Sequence, residues 1–389
     1  MHIVVIPSWY PEYEGDINGS FFREQALALN KFTDKVGVIY PQMRGFSALK
    51  KGNVRQCISI EEDSGLPTYR FHFTNLTPGL SSLILKSWIK KGEKLFLDYT
   101  KEHGYPDVLH AHSLYKAGFL AEYLGSKYNI PFVITEHISA YANGEVSSKD
   151  INLAKTVINN SSACIAVSEK FRALLNEKFD TRKWSFIPNI VSDEFFFHDV
   201  NSVNSKANKK FVFINVCAHH YKKRLDILIN AFNLAQKQLP NIKLLIGGDG
   251  PETNSLKKLA NDLHLQSKVE FAGRLSRNKV QELIFESDAF VLPSEYETFG
   301  VVVVEALALG KPVVATKCGG PESILNDEVG LLVEINSPEL LAQAMIKLYK
   351  QRQKYDPVKI RAYCQSRFSE EAVVKQLIKT YQIALANNE

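Results

Sequence analysis

Pro293-Ser294-Glu295-Tyr296-Glu297-Thr298-Phe299-Gly300 runs through Val301 to Val304 into Glu305-Ala306-Leu307-Ala308-Leu309-Gly310, and this stretch decides how the chain is read. Ahead of it, Phe290-Val291-Leu292 is apolar and partly β-branched, the mark of a buried strand end. Behind the turn an apolar helix is predicted from Phe299 to Leu309, with one carboxylate, Glu305, set inside it. A buried ionised Glu in a helix apolar nearly all round is costly unless it is paired or hydrogen-bonded. Glu305 therefore points either to a ligand in a polar cleft or to a salt bridge, with Glu297 an ordinary turn residue in the second case.

The same strand–turn–helix rhythm extends in both directions, the signature of parallel sheets with crossover helices. In the first half, strands are predicted at 3–6, 36–40, 108–110, 132–135, 164–167 and 185–187, and helices at 20–31, 82–102, 114–127, 149–159 and 169–178; residues 55–73 read as an irregular stretch or a hairpin. In the second half, strands fall at 211–216, 243–246, 269–271, 289–292 and 313–315, and helices at 225–238, 252–263, 278–286 and 299–309. A polar run, Asp199 to Lys210, separates the halves and reads as a linker. The expected organisation is a first Rossmann-like domain over 1–199 and a second over 200–368. The last segment, 369–389, carries an amphipathic helix (Val373, Val374, Leu377, Ile378, Tyr381) placed back on the first domain. Two doubly wound halves in tandem predict a ligand cleft between them.

At 389 residues two domains are the natural expectation, and 45% hydrophobic with 23% charged residues excludes disorder as the main story. Five scattered cysteines with no C-x-x-C pair argue for a reducing compartment and against a zinc site. Met1-His2 leads straight into a strand-length apolar run, unlike a secretion signal, so the protein is expected in the cytoplasm. Lys and Arg balance Asp and Glu at 22 each through residue 199, so the net charge of +5 lies wholly in the second half. That suits a small polyanion there and is too mild for nucleic acid.

Several motifs sit on the carboxyl edges of the predicted sheets. Lys222-Lys223-Arg224 opens a helix, where three cations oppose the macrodipole unless an anion is bound. Gly247-Gly248-Asp249-Gly250-Pro251 and Cys318-Gly319-Gly320-Pro321-Glu322 are glycine turns that let a backbone approach a ligand, or are plain turns; the second is read as opening a helix at Pro321. In the first half Gly15-Asp16-Ile17-Asn18-Gly19-Ser20 precedes a helix, and Thr135-Glu136-His137 ends a strand. His137 is a candidate sugar contact, whereas His110, His112, His219 and His220 lack partners at ligand spacing. If 297–305 were helical throughout, the two carboxylates would stand about 12 Å apart, the reach of a sugar joined to a nucleoside by a diphosphate. There is no nucleophile motif and no Asp-x-Asp to hold a metal on a diphosphate.

In this order and spacing the residues resemble the retaining nucleotide-sugar glycosyltransferases of family 4, the group 1 glycosyltransferases. The resemblance is strongest from Phe211 to Val333, through the basic turn, GGDGP, Phe271-Ala272-Gly273, the Glu297/Glu305 pair, Gly310-Lys311-Pro312-Val313-Val314-Ala315-Thr316 and Gly319-Gly320; Gly19, His137 and Ile187-Pro188-Asn189 agree in the first half. It implies an α/β fold of two Rossmann-like doubly wound domains facing across a cleft (GT-B). It also implies that Glu297 meets the donor sugar, Glu305 the ribose and Lys223 the diphosphate, with Lys222 or Arg224 standing in for an Arg that the family carries where this chain has Ala218-His219-His220. The Gly273-Arg274 turn would lie by the base, backbone amides at Phe299, Gly300 and Val301 by the phosphates, and Gly248, Gly19 and His137 would complete the site.

The function implied is transfer of a sugar from a UDP- or GDP-linked donor to a hydroxyl of a saccharide or lipid-linked saccharide, with retention, without a cofactor or metal, in polysaccharide or glycolipid synthesis. Alternatives on the same architecture are a nucleotide-sugar epimerase or phosphorylase and a catalytically silent nucleotide-sugar-binding protein; a nicotinamide dehydrogenase is disfavoured by the absence of G-x-G-x-x-G. Residues 81–94, with Trp88 and four Lys, are expected either to contact an anionic membrane or to form a helix with a core-facing stripe.

Overall fold

Val4 and Val5 have no exposed surface, and neither do Ile214, Leu244, Phe290 and Val314; these are the middles of strands covered on both faces, as parallel sheets require. The computed structural model describes residues 1–13, 16, 18–45, 56–75, 81–200 and 210–388. They divide into two compact units, one of residues 1–167, 171–188 and 373–389, the other of 168–170 and 189–372.

The first unit is built from β1 (His2–Pro7), α1 (Ser20–Phe32), β2 (Lys35–Arg44), β3 (Cys57–Asp63), β4 (Leu66–Thr74), α2 (Ser81–His103), β5 (Val108–His112), α3 (Phe119–Tyr128), β6 (Phe132–Glu136), α4 (Ser148–Asn160), β7 (Ala163–Ala166), α5 (Glu169–Phe179) and β8 (Trp184–Phe186). Its sheet order is β3-β4-β2-β1-β5-β6-β7-β8. Every pair is parallel except β3–β4. That antiparallel pair occupies the stretch read as irregular; Ser64 and Gly65 turn it, both at positive φ, as a tight two-residue hairpin loop demands.

The second unit contains β9 (Phe211–Val216), α6 (Leu225–Gln238), β10 (Ile242–Gly247), α7 (Thr253–Asp262), β11 (Val269–Gly273), α8 (Arg277–Glu286), β12 (Ala289–Leu292), α9 (Val301–Ala308), β13 (Val313–Thr316), β14 (Gly330–Val333), α10 (Pro338–Lys350) and α11 (Pro357–Phe368). Its six strands run in the order β11-β10-β9-β12-β13-β14, all parallel. Both units are thus doubly wound α/β, as the alternation predicts. The last helix, α12 (Glu370–Ala386), joins the first unit from Val373 onward. Its Val373, Val374, Leu377 and Tyr381 are buried, and Tyr381 Oη shares a 2.7 Å hydrogen bond with His110 Nδ1.

The structure departs from the sequence reading in several places. The units divide after Pro188 and Ala372 rather than at 199 and 368, because the chain beyond Pro188 is already tied into the second unit: Val191 N–H donates to Phe368 O at 2.8 Å, and Phe195 is fully buried. Most of the expected linker lies outside the described residues, as do Gly15 and Ile17 of the first glycine loop. The helix predicted over 114–127 begins only at Phe119, after a wide turn in which Tyr115 (ψ 132°) and Lys116 (φ 64°, ψ −70°) leave helical geometry. Ser8 Oγ explains the break, donating to Tyr115 O at 2.6 Å and accepting from Ala117 N–H at 3.3 Å. In α2, Trp88 is 1% exposed, so the indole belongs to the core, while Lys86, Lys90 and Lys94 face out together with Leu83 and Leu97.

Tyr381→Phe should lower the unfolding free energy by about 1–3 kcal/mol, because it leaves His110 Nδ1 buried without a partner. Urea unfolding checks this; an unchanged midpoint would mean that the bond contributes nothing net.

Candidate functional site

In the second sheet β9 lies between β10 and β12. The strand order reverses there, and the chain leaves both β9 and β12 at the carboxyl edge, where doubly wound sheets bind ligands. After β9 comes a 3₁₀ turn, Tyr221–Lys223. After β12 comes the Pro293–Gly300 turn. Lys223 Nζ donates to Glu297 Oε1 at 2.6 Å, and Ser294 Oγ donates to the same oxygen at 2.7 Å. The two candidate residues, 74 positions apart, meet across the switch point.

Glu297 is pinned through its backbone as well. Its N–H donates to Cys318 O at 2.9 Å, and its carbonyl accepts from Gly320 N–H at 2.8 Å. A Cβ on Gly320 would stand 2.0 Å from Phe299 O, so this glycine is fixed by the close passage of two backbones. Burial works against the Lys223 charge, but the adjacent Glu297 carboxylate outweighs it and holds the lysine pKa above its usual value. The site therefore presents a firm cation with a single carboxylate partner.

Gly300 (φ 92°) caps α9 in the left-handed region. The amides of a helix's first turn have no partner inside the helix, so α9 offers donors and a partial positive charge beside the pair. Residues 297–300 are not helical, so the 12 Å separation computed for a continuous helix does not apply. Phe299 is 1% exposed and packs its ring against Phe368; only its backbone can serve a ligand. Glu305, on α9, has a side chain just 4% exposed. Arg277 Nη1 donates to Glu305 Oε1 at 2.5 Å, and its guanidinium lies 4.7 Å from the centre of the Phe195 ring.

The remaining candidates of this unit border the pair. Lys222 carbonyl accepts from Glu295 N–H at 2.9 Å, while its ammonium lies over the Tyr221 ring. Arg224, at φ 48°, is committed to Asp226 and to Asn336, which resolves the conflict of a cation at the start of α6. Gly248 N–H donates to Gly273 O at 2.8 Å, joining two glycine turns, and Arg274 is exposed beside Asp249. A Cβ on Gly248 would fall 1.8 Å from Cys217 O, so the protein's own backbone already requires this glycine. At Pro321 there is one 3₁₀ turn rather than the predicted helix. Glu322 Oε2 accepts from Gly319 N–H at 2.8 Å, filling the place foreseen for an external anion.

In the first sheet the order reverses between β1 and β5, and His112 and His137 lie on that carboxyl edge. His112 Nδ1 and His137 Nε2 share a 3.1 Å hydrogen bond. Phe21 and Phe22, just after Gly19 (φ 79°) at the head of α1, pack on the His137 ring with centroids 5.2 and 4.9 Å away. Glu136 fixes the turn by accepting from the amides of Leu114, His137 and Ile138, although burial pushes its carboxyl pKa up. Burial lowers the pKa of His137 to about 3 and that of His110 to about 3. His137 is thus a neutral hydrogen-bonding group rather than an acid.

A family model described as Glycosyl transferases group 1 matches residues 198–365, and one described as Glycosyltransferase Family 4 matches residues 23–195. The chain belongs to the group 1, family 4 glycosyltransferases. Among curated relatives of this glycosyltransferase, the N-acetyl-alpha-D-glucosaminyl L-malate synthase of Bacillus anthracis is 28% identical over 248 residues, which are 61% of this chain and 64% of the relative. The chain thus spans somewhat less than two thirds of that relative's length. The putative teichuronic acid biosynthesis glycosyltransferase TuaC of Bacillus subtilis is 26% identical over 92% of this chain and 91% of its own. Among solved structures, Anabaena HepE in complex with UDP and glucose superposes with a TM-score of 0.73 at 20% identity, covering 98% of this chain and 100% of that one. That likeness speaks to the fold, GT-B.

Three residues of this glycosyltransferase escaped the sequence reading. Arg277 follows the α8 cap residue Ser276, and nothing local marks a partner 28 positions away. Ser294 lies inside the quoted stretch and in one of the family-like motifs, Val291-Leu292-Pro293-Ser294, but its bond to Glu297 shows only in the structure. Ser8 shows its use only through the Tyr115 and Ala117 backbone.

The neutral histidines carry a pH signature. Their folded pKa values lie below the ordinary 6.5, so the stability they contribute is complete above about pH 6.5 and is lost as the pH falls toward about 3. Imidazole NMR should show His110 and His137 in neutral form from pH 8 down to about 4.5; a midpoint near 6.5 for either would contradict the burial argument.

Proposed function

We propose that this protein transfers a sugar from a UDP- or GDP-linked donor to a hydroxyl of a saccharide or lipid-linked saccharide, retaining anomeric configuration and using no metal. The observation that carries the proposal is the Lys223–Glu297 pair at the switch point of the second sheet, beside the open first turn of α9. As the bond from the sugar to the diphosphate breaks, negative charge grows on the leaving oxygen. Lys223 and the amides around Gly300 and Val301 are fixed where they can meet it, the most effective use of preorganised charge. Glu297 orients donor hydroxyls, Glu305 takes the ribose diol, and His137 offers a neutral hydrogen bond. The acceptor hydroxyl attacks from the face that the diphosphate leaves.

The N-acetylglucosaminyl and teichuronic acid relatives and the glucose bound by HepE support a hexose or N-acetylhexosamine as the sugar and a cell-surface polymer as the destination. HepE binding UDP with glucose favours the UDP-linked donor. No helix among the described residues is long and apolar enough to cross a membrane. In the proposed cytoplasmic setting, the exposed Lys86, Lys90 and Lys94 of α2 provide a local, salt-sensitive contact with anionic lipid; vesicle flotation that retains nothing at low salt removes that part.

A thermal-shift panel of nucleoside diphosphates and their sugars should pick out one base, since a ligand held at one hundred times its Kd stabilises by about 2.7 kcal/mol. A flat panel would overturn the donor assignment, and stabilisation without transfer would mark a silent binder. Glu297→Gln should cut transfer by roughly a hundredfold or more with an unchanged circular dichroism spectrum. Near-normal rates would remove Glu297 from the site.

A further inference from the structure

Glu305 is the one carboxylate in an otherwise apolar helix, its side chain 4% exposed. Isolated ionised carboxylates in such surroundings do not persist; they are paired or they take up a proton. Its partner is Arg277, whose Nη1 donates to Glu305 Oε1 at 2.5 Å. Arg277 is itself about a third exposed along its side chain, but its guanidinium is seated on the fully buried Phe195 ring at 4.7 Å. An arginine laid on an aromatic face loses little freedom on making its ion pair, because the plane is already oriented. The carboxylate is thus held from one side, at one oxygen, by a group that is fixed by its own contact.

We infer that Arg277 is the positioning residue that makes Glu305 a reader of the ribose diol, so that donor recognition requires a ribonucleotide through a relay from Phe195 to Arg277 to Glu305. Arg277 acts through Glu305 and need not touch the donor. An ionised, immobile carboxylate accepts from both hydroxyls of a ribose. One that is protonated or free to rotate loses that preference, and with it the ability to tell ribose from 2′-deoxyribose. A site that hydrogen-bonds a substrate hydroxyl discriminates strongly against the analogue lacking it, because its polar group is then left unpaired. The inference rests on the assignment of Glu305 to the ribose.

The test is isothermal titration of UDP, GDP and their 2′-deoxy counterparts into the full-length wild type, Arg277→Gln, Arg277→Lys and Glu305→Gln. Wild type should prefer the ribonucleotide of its own base by roughly tenfold or more, as expected for a hydrogen bond to a charged group. Arg277→Gln should bring that ratio to within about threefold of unity, and Arg277→Lys, which keeps the charge without the planar fork, should fall between. A structural salt bridge would change the unfolding midpoint of Arg277→Gln and leave the ratio of the folded protein alone, which overturns the inference. If Glu305→Gln loses the preference and both Arg277 variants keep it, the ribose assignment stands and the Arg277 role fails. Should Glu305→Gln keep the preference, or wild type show none, the ribose assignment itself fails.

Discussion

A carboxylate taken out of water needs a counter-charge, and the second unit meets that constraint twice. Lys223 faces Glu297 and Arg277 faces Glu305, so that two of the three acids of the 293–310 stretch enter the structure as ion pairs. Such pairs seldom add much to stability, because desolvation consumes most of what attraction returns. Their use is positional: each fixes a charge at a place where the chain could otherwise put an apolar side chain at no loss. The alternatives of ligand contact and internal salt bridge, which stood apart on the sequence, are compatible, since a charge that is paired within the protein is also one that is ready to meet a ligand.

Backbone proximity does the rest of the positioning. Gly320 lets its strand-to-turn segment lie against Phe299, and Gly248 lets the GGDGP turn lie against Cys217. A side chain at either place would force the backbones apart and carry Glu297 or the basic turn with it. The glycines of these motifs are therefore explained first by the chain's own packing. At Gly273 an added Cβ would meet nothing within 4 Å, and there it is the positive φ of 69° that favours glycine.

How much of this was legible depends on the range of the interaction. Local patterns gave most of the alternating elements, because strand and helix periodicities are written over a few residues; the α6 bounds, Leu225 to Gln238, follow from one amphipathic run, whereas β14, α10 and α11 went unread. The helix misread over 114–127 fails for a distant reason, since Ser8, just beyond β1, stabilises the turn that interrupts it. The same holds at the site. The basic turn stood out on a predicted carboxyl edge and the family resemblance singled out Lys223 and Glu297, but their direct contact and the pairing of Arg277 with Glu305 belong to tertiary structure. The basic turn was misjudged in one respect: Arg224 is satisfied by Asp226 and Asn336, so the macrodipole conflict attributed to it does not arise.

The central claim is that Lys223 exists to meet a diphosphate. Titration of a nucleoside and its diphosphate, uridine with UDP and guanosine with GDP, into wild type and Lys223→Met isolates that contact. The account predicts that the variant loses about tenfold or more of the diphosphate's affinity, as removal of a charge-assisted contact should, while the nucleoside binds as before. Equal affinity of wild type and variant for the diphosphate would contradict it.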